Sequence, residues 1–171
     1  MDVLFLTMRI LHICLGVFWA GALVFVAFLL MPSVRDAAPE GGKVMLALMR
    51  RGYMNILPVV AILTLVSGFW LYWNTMETVG PLWASSMSAR VYGAGAVAAV
   101  VAFLLGIFVL RPTGKKLQAL MEQMANTPEG QARATVAEEM NAPRARMAAT
   151  APWVAVLLAI ATICMAVGRY V

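Results

Sequence analysis

The sequence predicts an all-α fold, a transmembrane four-helix up-down bundle with short cytoplasmic amphipathic helices, in one integral membrane domain over residues 1–171. Three observations carry that reading: four long uncharged apolar runs, a lopsided distribution of basic residues, and rows of small residues at helical spacing. The runs are residues 10–30, 56–73, 91–110 and 152–167, and none contains Asp, Glu, Lys or Arg. Each approaches the roughly 20 residues that a helix needs to cross about 30 Å of hydrocarbon. A chain that is 63% hydrophobic cannot hide that surface in a soluble domain of this size, whose exterior would have to be mostly polar.

Basic residues near span ends resist translocation, so their distribution predicts orientation. Of the 13 Lys and Arg residues, Arg35, Lys43, Arg50 and Arg51 fall in the first connection and Arg111, Lys115, Lys116, Arg133, Arg144 and Arg146 in the third. Only Arg9, Arg90 and Arg169 lie on the opposite side. This predicts a multi-pass protein of a bacterial inner (plasma) membrane, with both termini periplasmic and the first and third connections cytoplasmic. The net charge of +5 invites a nucleic-acid partner, but the basic residues flank spans with no aromatic-interleaved polar domain around them. Anionic lipid at the cytoplasmic face is the partner they suit, and nucleic acid is not.

Taken in order, the first span is too long for a signal-peptide apolar region, and Met31-Pro32-Ser33-Val34-Arg35 carries no A-x-A-like cleavage site, so it is read as a retained helix. In the first connection, Val44, Leu46, Leu48 and Met49 interrupt Lys43, Arg50 and Arg51, a pattern that suits a short amphipathic helix lying at the interface. Pro58 is expected in the first turn of the second span, where its missing N–H is harmless. The third span is expected to continue into the cytoplasm, because Leu117, Leu120, Met121 and Met124 keep helical spacing. Asn126-Thr127-Pro128-Glu129-Gly130 breaks it, with Thr127 capping a new helix that Pro128 opens and Asn141-Ala142-Pro143 ends. Small residues predict the faces that meet: Gly16 and Ala20 in the first span, Ala61, Thr64 and Gly68 in the second, Ala94, Ala98, Ala102 and Gly106 in the third, and Ala151, Ala155 and Ala159 in the fourth.

The reactive inventory within the spans is sparse. No carboxylate lies in any of them, which argues against proton relays and cation transport, and no Ser-His-acid or Cys-His-acid set exists, which points away from an enzyme. Cys14 and Cys164 each sit in an apolar run and read as small hydrophobic residues, although both fall at the outer level where a disulfide is conceivable. His12 is the one ionisable group needing a reason. It lies about 8 residues, or roughly 12 Å, from the middle of the first span. At about 100° per residue, Arg9, His12, Gly16, Trp19 and Leu23 share a face. An imidazole beside Gly16, with Arg9 one turn outward, is a layout for haem b, with His12 on the iron and Arg9 on a propionate. Met8, Met76, Met87 and Met165 fall near the same level as candidates for a second axial ligand. The bland alternative is a histidine that hydrogen-bonds a neighbouring helix or interfacial water.

The string Leu11-His12-Ile13-Cys14-Leu15-Gly16-Val17-Phe18-Trp19-Ala20-Gly21 resembles the H-x6-W-x-G opening of the copper-resistance protein D membrane domain and its relatives, among them the HemJ-type protoporphyrinogen oxidase and several uncharacterised four-helix integral membrane families. The closing Met165-Ala166-Val167-Gly168-Arg169-Tyr170 is similar to the M-A-x-x-R-Y endings of the uncharacterised group. The resemblance implies that His12 is a haem or copper ligand and that Trp19 and Gly21 shape its pocket. No span contains the Lys that HemJ-type enzymes pair with their His.

Three functional readings follow. The chain binds haem b or copper through His12, in electron transfer or metal handling; or it is a non-catalytic accessory or assembly subunit of a larger bioenergetic membrane complex, or a homo-oligomer; or it is a copper or small-solute permease, for which the sequence shows no polar path.

Overall fold

Apolar runs in hydrocarbon must satisfy their backbone polar groups internally, and helices do so within one segment. In the computed structural model, which describes residues 2–38 and 40–171, five helices hold most of the described chain: α1 (Val3–Asp36), α2 (Glu40–Arg50), α3 (Tyr53–Val79), α4 (Met87–Asn126) and α5 (Gln131–Val167). A 3₁₀ turn, Pro81–Ser85, leads into α4. The helices α1, α3, α4 and α5 are long and apolar enough to cross a membrane, and there is no strand among the described residues. Each contains one of the four uncharged runs. The 40 residues of α4 reach about 60 Å at 1.5 Å per residue, roughly twice the hydrocarbon thickness. It therefore projects beyond the apolar layer at the end that carries the two basic connections, the basic end.

Local chemistry sets the boundaries. Asp2 caps α1 by accepting from the Leu4 amide at 3.0 Å, and Ser86 caps α4 by accepting from the Ala89 amide at 3.2 Å. Between α2 and α3 the chain reverses at Gly52, whose φ of +87° suits a residue without a β-carbon. Both α1 and α4 contain a π-helical turn, Val26–Leu30 and Gly106–Leu110, followed in each case by one residue and then proline, Pro32 or Pro112. A proline ring crowds the carbonyl four residues back, here Phe28 or Phe108, and removes one backbone donor. The widened turn takes up that crowding without ending the helix.

Several boundaries differ from the sequence expectation. The helix α3 begins at Tyr53, so Pro58 lies inside it rather than in its first turn and leaves the Met54 carbonyl without its helical partner. Thr127 does not cap a new helix. Its hydroxyl donates back to the Gln123 carbonyl at 2.7 Å, closing the end of α4, and α5 starts later, at Gln131. The end expected at Asn141-Ala142-Pro143 falls just before it: α5 is interrupted at Met140, and helix resumes at Asn141 with Pro143 in its first turn, where a missing N–H is tolerated.

Packing places α1 against α3 and α5, and α4 against α5. One core lies between the long helices, formed by Trp19, Leu23, Ala61, Ala102, Leu110, Val154 and Leu158. A second lies at the basic end and is rich in methionine: Met45, Met49, Met121, Met140 and Met147 with Leu117, Leu120 and Val136. The amphipathic α2 is thus as expected in kind, but its apolar face is buried against protein. Gly41 makes that approach possible, because a β-carbon there would collide with the Val34 carbonyl of α1. Arg50 of α2 also pairs with Glu122 of α4 at 3.5 Å, a half-exposed contact that adds little.

The small-residue rows are only partly inward. Ala98 and Ala102 are buried, but Ala94 is exposed and Gly95 takes the inner position, its α-carbon side closed by Cys164 and Met165 of α5. In α5 Ala155 is buried and Ala159 exposed, with Leu158 and Ala161 inside instead. A four-residue step overshoots a helical turn by about 40°, so three such steps rotate a row roughly 120° away from its partner. Contacts alternate steps of three and four for this reason.

Candidate functional site

His12 projects from α1 toward α3, and the sequence of α3 receives it. Thr64 and Ser67 turn their hydroxyls onto their own helix, Thr64 donating to the Val60 carbonyl at 2.8 Å and Ser67 to the Leu63 carbonyl at 2.7 Å. Those internal bonds keep the α3 surface compact where α1 approaches. His12 Nδ1 lies 2.9 Å from the Thr64 main-chain oxygen and 3.4 Å from Ser67 Oγ. A carbonyl only accepts, so Nδ1 carries the proton and donates, and in the neutral ring Nε2 keeps its lone pair. Gly68 supplies the space: a β-carbon there would lie 2.6 Å from His12 Cε1 and 3.5 Å from Nε2. The imidazole links two helices across 52 residues of sequence.

The other residues expected at this site separate into three places. Gly16 stays with His12 at the α1–α3 contact, where a β-carbon would meet the Thr64 methyl at 3.6 Å. Trp19 lies deeper, 5% exposed, in the core between the long helices. Arg9 is exposed at the outer end of the same face, and Gly21 is exposed with nothing near its missing side chain. Met165 packs its methyl 3.3 Å from the β position of Gly95, in the α4–α5 pair. Met8 and Met76 are half-buried, and Met87 is exposed. Cys14 and Cys164 are both free thiols.

This arrangement bears on haem and copper through its donors. Nδ1 faces α3, where the Thr64 oxygen accepts from it, and a Gly68 β-carbon would lie nearer Cε1 and Nδ1 than Nε2, so Nε2 is the ring nitrogen left for a ligand. Among the described residues no three His, Cys, Asp or Glu side chains gather to hold a metal ion. The residues that sequence reasoning did not connect with His12 are Ser67 and the Thr64 carbonyl. The carbonyl left no signal, and that of Ser67 was local, a Thr-x-x-Ser-Gly string on the second span at a depth matching His12 on the first.

A second feature lies elsewhere. Between all four long helices, toward the basic end, is a cavity of about 70 Å³ lined by Trp19, Leu23, Pro58, Ala102, Phe103 and Val154 among others. Its wall is apolar except at the margin, where Tyr53 and Arg111 meet it. Tyr53 Oη and Arg111 Nε are buried and have no hydrogen-bond partner among the described residues. Arg111 Nη2 reaches Asn55 Oδ1 only at 3.5 Å. Along the sequence Arg111 is one of the basic residues flanking the spans and Tyr53 is ordinary, since neither belongs to a motif. Compared with known protein families, with curated proteins and with solved structures, the chain matches none.

Proposed function

We propose that this chain is a non-catalytic accessory or assembly subunit of a larger membrane complex, sitting in a bacterial inner membrane with its four long helices crossing up and down, both termini outside and the basic connections in the cytoplasm. The observation that carries the reading is the use made of His12: the one histidine makes a helix-to-helix hydrogen bond at 2.9 Å, against a glycine whose missing side chain makes room for the ring. In hydrocarbon an imidazole without a partner is expensive, and a main-chain oxygen on the next helix answers that cost directly. The two buried hydrophobic clusters are built of Ala, Val, Leu, Trp and Met, side chains suited to packing. The ten-to-three distribution of basic residues supports the orientation, and anionic lipid is the expected partner of the basic end.

The test is extraction of the tagged chain in a mild detergent, followed by native gel electrophoresis and quantification of co-migrating polypeptides. A complex of fixed stoichiometry that survives dilution is expected. A chain that runs alone and shows a Soret band, lost in His12→Ala, overturns the reading in favour of haem.

One observation favours a second reading, copper bound through His12. A ligating histidine commonly donates its other ring nitrogen to a carbonyl, which fixes the tautomer and aims the free nitrogen. The Nδ1–H bond to Thr64 has that form and leaves Nε2 available. Met8 and Met76 are sulfur donors suited to Cu(I), and Arg9 contributes nothing to a cation. Metal analysis of protein purified without chelators tests it: about one copper per chain, absent from His12→Ala, is the expected result, and a metal-free protein rejects it.

A further inference from the structure

Arg111 follows directly on the uncharged run 91–110, so its guanidinium stands at the level where hydrocarbon gives way to headgroups. It borders two spaces at once. The inner one is the 70 Å³ apolar cavity between the long helices. The outer one is a shallow open depression on α4 alone, bordered by Ile107, Phe108, Arg111, Pro112 and Lys115. The two share Ile107 and Arg111. Lys115 is one helical turn beyond Arg111, so both cations face the outer space, and among the described residues neither is paired with a carboxylate. Phe108 is 71% exposed beside them, as a side chain against lipid tails would be.

The unmet polar atoms define what belongs there. Tyr53 Oη–H and Arg111 Nε–H are buried donors without acceptors. Leaving such groups unpaired is costly, so a ligand that brings acceptor oxygens is favoured. With two cations, a phenol donor and no acidic side chain among these residues, the oxygen is anionic. Behind them the wall is aliphatic and aromatic and offers nothing to a headgroup. A molecule that presents an anionic oxygen first and an alkyl chain behind it matches both parts, and a free phosphate matches only one.

We propose that the basic end binds one anionic phospholipid, its phosphate held by Arg111, Lys115 and Tyr53 and one acyl chain lying along the helices with a few of its methylenes in the cavity that Trp19 lines. This is a site for a single molecule, distinct from the general attraction of basic loops to a charged surface. It rests on the chain spanning a membrane and not on its being a subunit.

The test uses phosphatidylglycerol brominated on its acyl chains, because bromine quenches an indole only on contact. In a variant whose sole tryptophan is Trp19, purified in a neutral detergent, brominated phosphatidylglycerol at low molar ratio is expected to quench fluorescence saturably. Brominated phosphatidylcholine is expected to leave it unchanged, since Trp19 is buried from bulk detergent and lipid. Arg111→Gln with Lys115→Gln should weaken the apparent affinity about tenfold and Tyr53→Phe about threefold, while Arg111→Lys should lose less than Arg111→Gln. Equal quenching by both lipids, or none by either, overturns the proposal. Quenching by brominated oleate but not by the phospholipid overturns the assignment of the headgroup. Should the single-tryptophan variant fail to fold, native mass spectrometry of the unsubstituted protein decides: retention of one phosphatidylglycerol in preference to phosphatidylcholine supports the site, and no preference rejects it.

Discussion

His12 of α1 donates its Nδ1–H to the main-chain oxygen of Thr64 on α3 at 2.9 Å, and this bond ties the two helices together. In a membrane such a bond contributes about 0.6 kcal/mol on average and up to about 1.7 kcal/mol. His12→Ala also opens space over Gly68. We expect a folded protein with unfolding in detergent shifted down by a few degrees, read by circular dichroism. An unchanged melting temperature contradicts the structural role of the ring.

Gly68→Ala tests the same contact from the other side. Its β-carbon would sit 2.6 Å from His12 Cε1, so one of the two helices or the ring must move. Overpacking of this kind costs about 1 to 3 kcal/mol. Combined with His12→Ala, the substitution should lose most of its penalty, giving a coupling of about 1 kcal/mol or more in a double-mutant cycle. Additive losses would mean that the two residues do not share a contact.

Ala102 is 0% exposed where α4 meets the central core, and Val97 is 64% exposed on the outer face of the same helix. Ala102→Leu should destabilise by about 1 to 3 kcal/mol, and Val97→Ala should stay within about 0.5 kcal/mol. Val100, which simple spacing suggests as the lipid-facing control, is half-buried and therefore unsuitable. Equal effects at 97 and 102 in a detergent unfolding series would place the wrong face inward.

Orientation is open to cysteine labelling in a chain without Cys14 and Cys164. Ser86 is a poor reporter, because its hydroxyl caps α4. Ala84 and Thr135 are exposed and serve better. An impermeant maleimide applied to intact cells should label a cysteine at 84 and reach one at 135 only after lysis. The opposite pattern, or equal labelling, rejects outward termini.

Met49 of α2 is buried in the second core with Met45, Leu120 and Met121. Met49→Ala should cost about 2 to 5 kcal/mol of local stability, because it leaves a cavity in protein. Limited proteolysis at Arg50 and Arg51 reports it: faster cleavage is expected than in the unsubstituted chain. Cleavage at the same rate would mean that α2 is held by lipid and not by this core.

The four long helices were legible in the sequence because hydrocarbon permits few alternatives: an uncharged run of that length must be helical, and residues 10–30, 56–73, 91–110 and 152–167 each lie inside a helix that is apolar and long enough to span. The amphipathic α2 and the continuation of α4 past Leu117 were legible too, since both patterns are local. What needed the tertiary structure was everything that depends on which helix stands beside which. Residues Ala94 and Ala159 belonged to sound four-residue rows yet face outward, because the rows turn away from their neighbours as the helix winds. Pro58, Thr127 and Pro143 were misplaced by a few residues, as side chains that suit a terminus also fit just inside or just beyond one. His12 was recognised as the residue needing a partner, but its acceptor is a main-chain oxygen 52 residues away, and a carbonyl has no signature in sequence. The same holds for Tyr53 and Arg111. Each looks ordinary along the chain, and only the packing of the long helices around a cavity leaves their donors buried together without acceptors.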